Sequence, residues 1–245
     1  MRDDLLDAIA GVEWADAQLP ILELRIEAWR NIPPYEIVEE LYPQNGEKAY
    51  KLTNTTRPPA IINAEAGLVI NSLRSSLDLL ANALAERNGS RDSKDTQFPV
   101  CRDQIGFRHG KHAGRKEIRR LSVADQNVIE RLEPWAGGHP YLYRLHALDN
   151  IRKHRRLIGV EVMPIRATVS PIDAKRGFRF TGVWKGFEND AIVGWAPIDA
   201  PKADIQISPV VLLREGGPVA TLTLLEALNK MCGAVRDIIA LFDTA

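Results

Sequence analysis

Between Pro59 and Asn88 no proline interrupts the chain, and Gly67 is the one glycine. The spacing predicts one long helix over 60–88, clearest from Ala64 through Ala85. At about 100° per residue, Ile62, Val69, Leu73, Leu77, Leu80 and Leu84 share one side. Ala64, Gly67, Asn71, Ser75, Asp78 and Asn82 line the other, with Arg74 beside them. A helix apolar almost all round, with one narrow polar seam, belongs at the centre of a core. An unsatisfied polar group there costs on the order of 1–3 kcal/mol, so another segment must answer Asp78.

The flanking segments fill in an α+β fold. Leu5, Leu6, Ile9, Val12, Leu19, Leu22, Leu24 and Ile26 predict an N-terminal helix over 1–32, bent or broken at Pro20 and ended by Pro33-Pro34. Residues 35–54 surround Asn45-Gly46 and read as a β-hairpin insert. Residues 90–120 show no regular period, and Gly106, Gly110 and Gly114 mark a loop or short pieces of structure. Ser122 with Asp125 three positions on predicts a capped short helix from Val123 to about Leu132. After Gly137-Gly138, Tyr141–Leu157 should form a helix with Tyr141, Leu145, Leu148 and Ile151 toward the core. The period then changes. Short β-branched and aromatic runs over 158–215, namely 158–162, 167–169, 178–184, 191–195 and 205–207, predict an antiparallel sheet. Pro218 then opens a last helix from Val219 to Phe242, within 218–243. The expectation is one domain over 1–245: a bundle of four to five helices (1–32, 60–88, 122–157, 218–243) with the hairpin and the C-terminal-half sheet alongside.

Composition narrows the function classes. The formal charge is zero and hydrophobic residues make up 45% of the chain, as in an ordinary folded protein. No apolar run approaches the roughly 18 residues of a membrane span. The start Met1-Arg2-Asp3-Asp4 lacks the basic and apolar pattern of a secretory signal, so a cytoplasmic location without a membrane partner is expected. Cys101 and Cys232 are the only cysteines, too few for a disulfide framework. Charge is uneven along the chain: residues 1–60 carry 6 basic and 11 acidic side chains, residues 102–156 carry 13 and 6. The basic block is either a surface for phosphates or the internal counterpart of the acidic N-terminal helix.

Within the 141–157 helix, Tyr143, His146, Asn150 and His154 fall on one polar stripe. The central helix offers Asn71, Asp78 and Asn82 at the same rhythm. If the stripes meet, Asp78 accepts from His154, His146 or Lys153 and orients an imidazole for acid–base work. The alternative is that Asp78 pairs with Arg74 one turn earlier on its own helix. Cys101, His109 and His112 are a candidate zinc set without a fourth ligand. Arg108, Lys111, Arg115, Lys116, Arg119 and Arg120, joined by Arg152, Lys153, Arg155 and Arg156, form either a phosphate-contacting face or a solvated charge run. No Walker loop, dinucleotide fingerprint or Gly-x-Ser-x-Gly elbow is present, and no cofactor is expected.

Four segments carry a resemblance: Asn71-Ser72-Leu73-Arg74-Ser75-Ser76-Leu77-Asp78, Thr96-Gln97-Phe98-Pro99-Val100, Ile129-Glu130-Arg131-Leu132-Glu133-Pro134-Trp135 and Leu148-Asp149-Asn150-Ile151-Arg152-Lys153-His154-Arg155. Together they resemble a widespread family of uncharacterised bacterial proteins with an N-L-R-S-A-L-D helix and a later L-N-N-I-D-K-H-R helix; Arg152 stands where that family has an acid. A bundle with a polar central seam and a histidine-bearing helix is similar, at greater distance, to the HEPN superfamily. That superfamily includes RNA-cleaving toxins and noncatalytic nucleotide- or RNA-binding subunits. Its Arg-x(4–6)-His signature fits Arg102 to His109, in a segment that Pro99 and Gly106 mark as loop; Arg144 is too far upstream of His154. The resemblance implies an RNA- or nucleotide-binding bundle with RNase activity. His154 would be the base, Asp78 and Asn150 its orienting partners, and Arg152 and Lys153 the phosphate contacts, with Arg74, Asn71, His146 and Tyr143 around them. The alternative is a noncatalytic interaction protein, including a homodimer, whose seam is a buried structural network.

Overall fold

A computed structural model describes residues 2–90, 95–110, 113–170, 177–181, 187–214 and 222–243. Seven α-helices are described: α1 (Leu6–Asn31), α2 (Ala60–Arg87), α3 (Gln104–Arg108), α4 (Gly114–Glu117), α5 (Val123–Arg131), α6 (Leu142–His154) and α7 (Leu224–Ala240). Six strands accompany them: β1 (Glu36–Tyr42), β2 (Glu47–Thr53), β3 (Val160–Ser170), β4 (Arg179–Phe180), β5 (Ile192–Pro197) and β6 (Asp204–Leu213). The chain is α+β. It divides into two compact units, Met1–Glu23 with Ile61–Gly159 and Leu213–Ala245, and Leu24–Ala60 with Val160–Leu212.

The helical unit is built around α2, whose Ile62, Val69, Ile70, Leu73, Leu77, Leu80 and Leu84 are fully buried. Helix α1 crosses it closely at Gly11. A side chain there would meet the Ser76 hydroxyl at 2.3 Å, and Ser72 donates to the Gly11 carbonyl at 2.8 Å. The far end of α2 is tied by Arg87, which donates to Asp4 at 2.7 Å and to the Phe242 carbonyl at 3.0 Å. Helix α7 buries Leu224, Leu228, Met231, Val235, Ile238 and Ile239 along one face. Its first turn is closed by a capping box between Thr223 and Glu226. That box starts the helix after Thr223; the expected opening at Pro218-Val219 lies outside the described residues. Ser122 caps α5 through the Asp125 N–H, as its spacing predicted.

Of a bend or a break at Pro20 the structure excludes the break, and of a loop or short pieces over 90–120 it shows the short pieces. Helix α1 runs unbroken through Pro20. Pro20 is exposed, so water can meet the carbonyl that the missing N–H leaves open. The stretch 90–120 holds α3, capped by the Asp103 side chain on the Gly106 N–H at 2.7 Å, and the single turn α4. Such short helices bury too few residues to show a period.

In the β unit the hairpin is no separate insert. Strands β1 and β2 pair antiparallel, and β2 continues into β5 and β4, giving the order β1-β2-β5-β4. Strands β3 and β6 form a second, two-stranded sheet. Tyr50, Leu52, Val169, Val193, Ala196, Ala203, Ile205 and Ile207 make the common core of the two sheets. The Tyr50 hydroxyl accepts from the Ala203 N–H at 3.1 Å. The Tyr35 hydroxyl accepts from the Ile207 N–H at 2.7 Å and donates to its carbonyl at 3.1 Å, as a neighbouring strand would. The expected run 178–184 is described only to Thr181; Gly182–Trp184 lie outside the described residues. No described helix is long and apolar enough to cross a membrane.

Candidate functional site

Helix α2 meets α6 and the segment that follows it through a ladder of contacts, two of them hydrogen bonds from asparagines. Asn63 donates to the Ile158 carbonyl at 2.6 Å. The Arg152 side chain lies against Gly67, where a Cβ would meet its Cδ at 2.8 Å. One turn on, Asn71 donates to Asp149 at 3.0 Å. Asp149 is 2% exposed and also holds Lys153 at 2.6 Å, with the Arg152 Nε at 3.8 Å. The carboxylate that joins the helices is therefore Asp149, which sequence reasoning left out of the site. Its signal was present: with Leu145 and Leu148 it stands on the core-facing side of the helix, where an acid must find partners.

Further along α2 lies Arg74, 4% exposed. Its guanidinium donates to Asp78 at 2.7 Å and to the Phe98 carbonyl at 2.8 Å, while the Phe98 N–H donates to the same Asp78 oxygen at 2.9 Å. The three groups close a ring that fixes the 96–100 segment to α2. Asp78 thus takes the partner one turn away on its own helix, together with a backbone N–H. Burial pushes its carboxyl up, opposed by Arg74 and the Phe98 N–H.

The predicted α6 stripe separates. His146 is half-buried, and its Nε2 lies 2.9 Å from the Asn150 amide nitrogen. With the amide donating, the ring proton sits on Nδ1. Burial, with Arg74 and Lys153 adding positive potential against Asp149, lowers the His146 pKa to about 4. Its imidazole is neutral at physiological pH. His154 is exposed at the end of α6, and Tyr143 is half-buried. The hydrogen bonds of Asp78 go to Arg74 and Phe98, not to His154. Of the expected grouping, the fold brings Arg74 to Asp78, Asn71 to α6, and His146 to Asn150. It leaves His154 in solvent.

Glu117, the last residue of α4, is the second group that the sequence did not flag. Burial raises its pKa to about 7, with Arg74 pulling it down and Asp78 pushing it up. The aperiodic stretch around it offered no signal. Arg74 is thus a buried cation whose field reaches Asp78, Glu117 and His146, three titratable groups from three elements. Groups displaced in opposite directions around one centre are what acid–base sites require, and structural ion networks produce them too.

The basic block divides by role. Arg108 donates to Glu130 at 2.8 Å and Arg115 at 3.1 Å, so these two are internal counterions. Arg120 reaches the Thr96 hydroxyl at 3.4 Å. Lys153, His154, Arg155 and Arg156 are exposed. Cys101 pairs by a backbone bridge with Trp135 and is half-buried. Among the described residues no cluster of three His, Cys, Asp or Glu side chains could hold a metal; Lys111 and His112 lie outside them. Compared with protein-family models, curated proteins and solved structures, the chain matches none.

Proposed function

We propose that the helical unit is a HEPN-like module that binds RNA or a nucleotide, with phosphate held by the exposed end of α6. The supporting observation is the placement of charge on that helix. Its one acid, Asp149, is buried and turned to α2, whereas Lys153, His154, Arg155 and Arg156 are exposed in consecutive positions. The surface of this last turn is therefore cationic with no acid of its own helix beside it. Lys153 is anchored by Asp149, so His154 and Arg155 are the ligand-facing groups. Phosphate neutralisation releases condensed cations, so affinity should fall steeply with salt. Fluorescence anisotropy with a labelled single-stranded RNA tests this: binding at 50 mM salt, weakened about tenfold or more at 200 mM, and lost in Arg155→Glu. Absence of binding at low salt sinks the proposal. The cations would then serve only the negative end of the α6 dipole, and the seam would be the structural network of an interaction protein.

A second reading, RNA cleavage, is favoured by the opposed displacements of His146 and Glu117 around Arg74. A neutral His146 can take the 2′-hydroxyl proton on Nε2 once the Asn150 amide gives up that lone pair, and a protonated Glu117 can give one to the departing 5′-oxygen. The products are a 2′,3′-cyclic phosphate and a 5′-hydroxyl. His146→Ala then abolishes cleavage with binding kept, while His154→Ala weakens binding alone. Unchanged cleavage in His146→Ala, or none in the wild type, removes this reading and leaves the binding module.

A further inference from the structure

Among the described residues, strand β6 has one strand beside it, β3, which leaves its other edge without a strand partner. Ile207 shows which edge that is. Its N–H donates to the Tyr35 hydroxyl at 2.7 Å, which donates in turn to the Ile207 carbonyl at 3.1 Å, so both backbone groups of Ile207 point away from β3. Backbone groups alternate between the two edges of an antiparallel strand. Ile205, two positions back in β6, therefore turns its own N–H and carbonyl to the same side as Ile207. Just before the strand, the Ala203 N–H is closed by the Tyr50 hydroxyl at 3.1 Å.

The two tyrosines close the ends of this edge and leave its middle open. Each hydroxyl spends its single proton in its own corner, Tyr35 on the Ile207 carbonyl and Tyr50 on the Glu39 carboxylate. Between Ala203 and Ile207 the chain runs about 13 Å, with the N–H and carbonyl of Ile205 at the centre. A cleft of about 380 Å³ lies here in the β unit, within the size range of small-ligand sites. It is lined by Tyr35, Ile37, Glu39 and Tyr50 of the hairpin segment and by the run from Lys202 to Ile205. Ile205 is 6% exposed, and backbone groups at that depth need partners.

An extended peptide is the ligand that meets these demands. A residue opposite Ile205 exchanges both hydrogen bonds with it, N–H to carbonyl in each direction. Residues directly opposite in an antiparallel pair send their side chains to the same face. On that face the Ile205 side chain belongs to the core cluster of Tyr50 and Leu52, with Tyr35 and Ile37 packed against it, so the ligand's side chain there must be apolar. A long strand does not fit, because the tyrosine hydroxyls already hold the positions on either side. We propose that this cleft binds a short extended peptide, its backbone paired to the N–H and carbonyl of Ile205 and an apolar residue opposite. The site shares no residue with the α6 surface and fails separately from it.

The test is NMR titration of the isotope-labelled full chain with acetyl-Ala-Val-Ala-amide, followed at the Ile205 amide. That signal should move downfield, and its exchange with solvent should slow by roughly tenfold or more. The same peptide with its valine nitrogen methylated lacks the donor to the Ile205 carbonyl and should bind roughly tenfold more weakly. Acetyl-Ala-Glu-Ala-amide should also bind more weakly, because its carboxylate would enter a cleft lined by apolar groups and Glu39. These changes are made in the ligand, so the protein keeps one fold in every arm. Arg155→Glu should leave peptide binding intact. No response of Ile205 at millimolar peptide, or an equal response to the N-methyl peptide, overturns the inference. So does protection of the Ile205 amide that rises with protein concentration before any peptide is added, which would assign the edge to a second copy of the chain.

Discussion

The two units each bury a cation to the same depth: Arg74 and Lys48 are both 4% exposed. Lys48 donates to the Ala200 carbonyl at 2.7 Å, has Glu39 at 3.6 Å, and lies over the Tyr50 ring at 5.9 Å from its centroid. Burial and the nearby Glu39 push the Tyr50 hydroxyl up to about 12, so it stays a neutral hydrogen-bonding group. Around Arg74, by contrast, Glu117 titrates at about 7 and His146 is kept neutral down to about 4. A buried cation by itself marks good satisfaction of hydrogen bonds; a buried cation shared by several titratable groups marks a place where protonation and ligand binding can be linked.

Removing each cation separates the two cases most sharply. Arg74→Met should cost about 3 kcal/mol, because Asp78 and the Phe98 carbonyl lose their partner together and a broken buried ion pair typically costs about 3–5, eased here by the 31% exposure of the Asp78 side chain. Native-state hydrogen exchange of the α2 amides reads that loss. Lys48→Met should cost about 1–2 kcal/mol, the loss of one hydrogen bond to a buried carbonyl, read on the β2 amides. Equal costs would mean that burial alone, not the shared network, sets the Arg74 term. Tyr50→Phe should cost about 1 kcal/mol through the Ala203 N–H, on the same amides.

The smallest effect is the most diagnostic. His146 has its pKa lowered, so between about 6.5 and about 4 the unfolded chain binds the proton and the folded chain does not; its share of stability is present above that window and lost as pH falls through it. Glu117 has its pKa raised, so between about 4.5 and about 7 the folded chain keeps a proton that the unfolded one has released; its share is lost as pH rises. From about pH 4.5 to 6.5 the two slopes oppose each other. Stability should therefore rise with pH in Glu117→Gln and fall with pH in His146→Asn, each by less than one proton relative to the wild type. Two parallel profiles would show that burial does not displace the two groups in opposite directions.

Much of the scaffold could be read in advance because its signals are local. The period of α2, the Ser122 cap and the hairpin around Asn45-Gly46 each depend on residues within a turn or two of one another. The coarse placement of the polar seam followed as well: Asn71 does meet α6, and Asp78 does pair with Arg74. Where the reading went astray, the partner was distant in sequence. Asp78 is joined by the Phe98 backbone N–H, which no side-chain pattern encodes. His154 shares a helical stripe with His146, yet α6 ends there and leaves it in solvent.

The amino-acid sequence by itself determined the elements: helix period, caps and turns arise from the φ/ψ preferences and spacing of neighbours. Only the tertiary structure decided which groups share a charge environment. Glu117 sits in one turn of helix with no period, Glu130 with two arginines from other helices, and the hairpin in a four-stranded sheet with β5. The physical reason is that a pKa or a hydrogen bond depends on distance in space and on exclusion of water, and both are fixed only when segments far apart in the chain pack together.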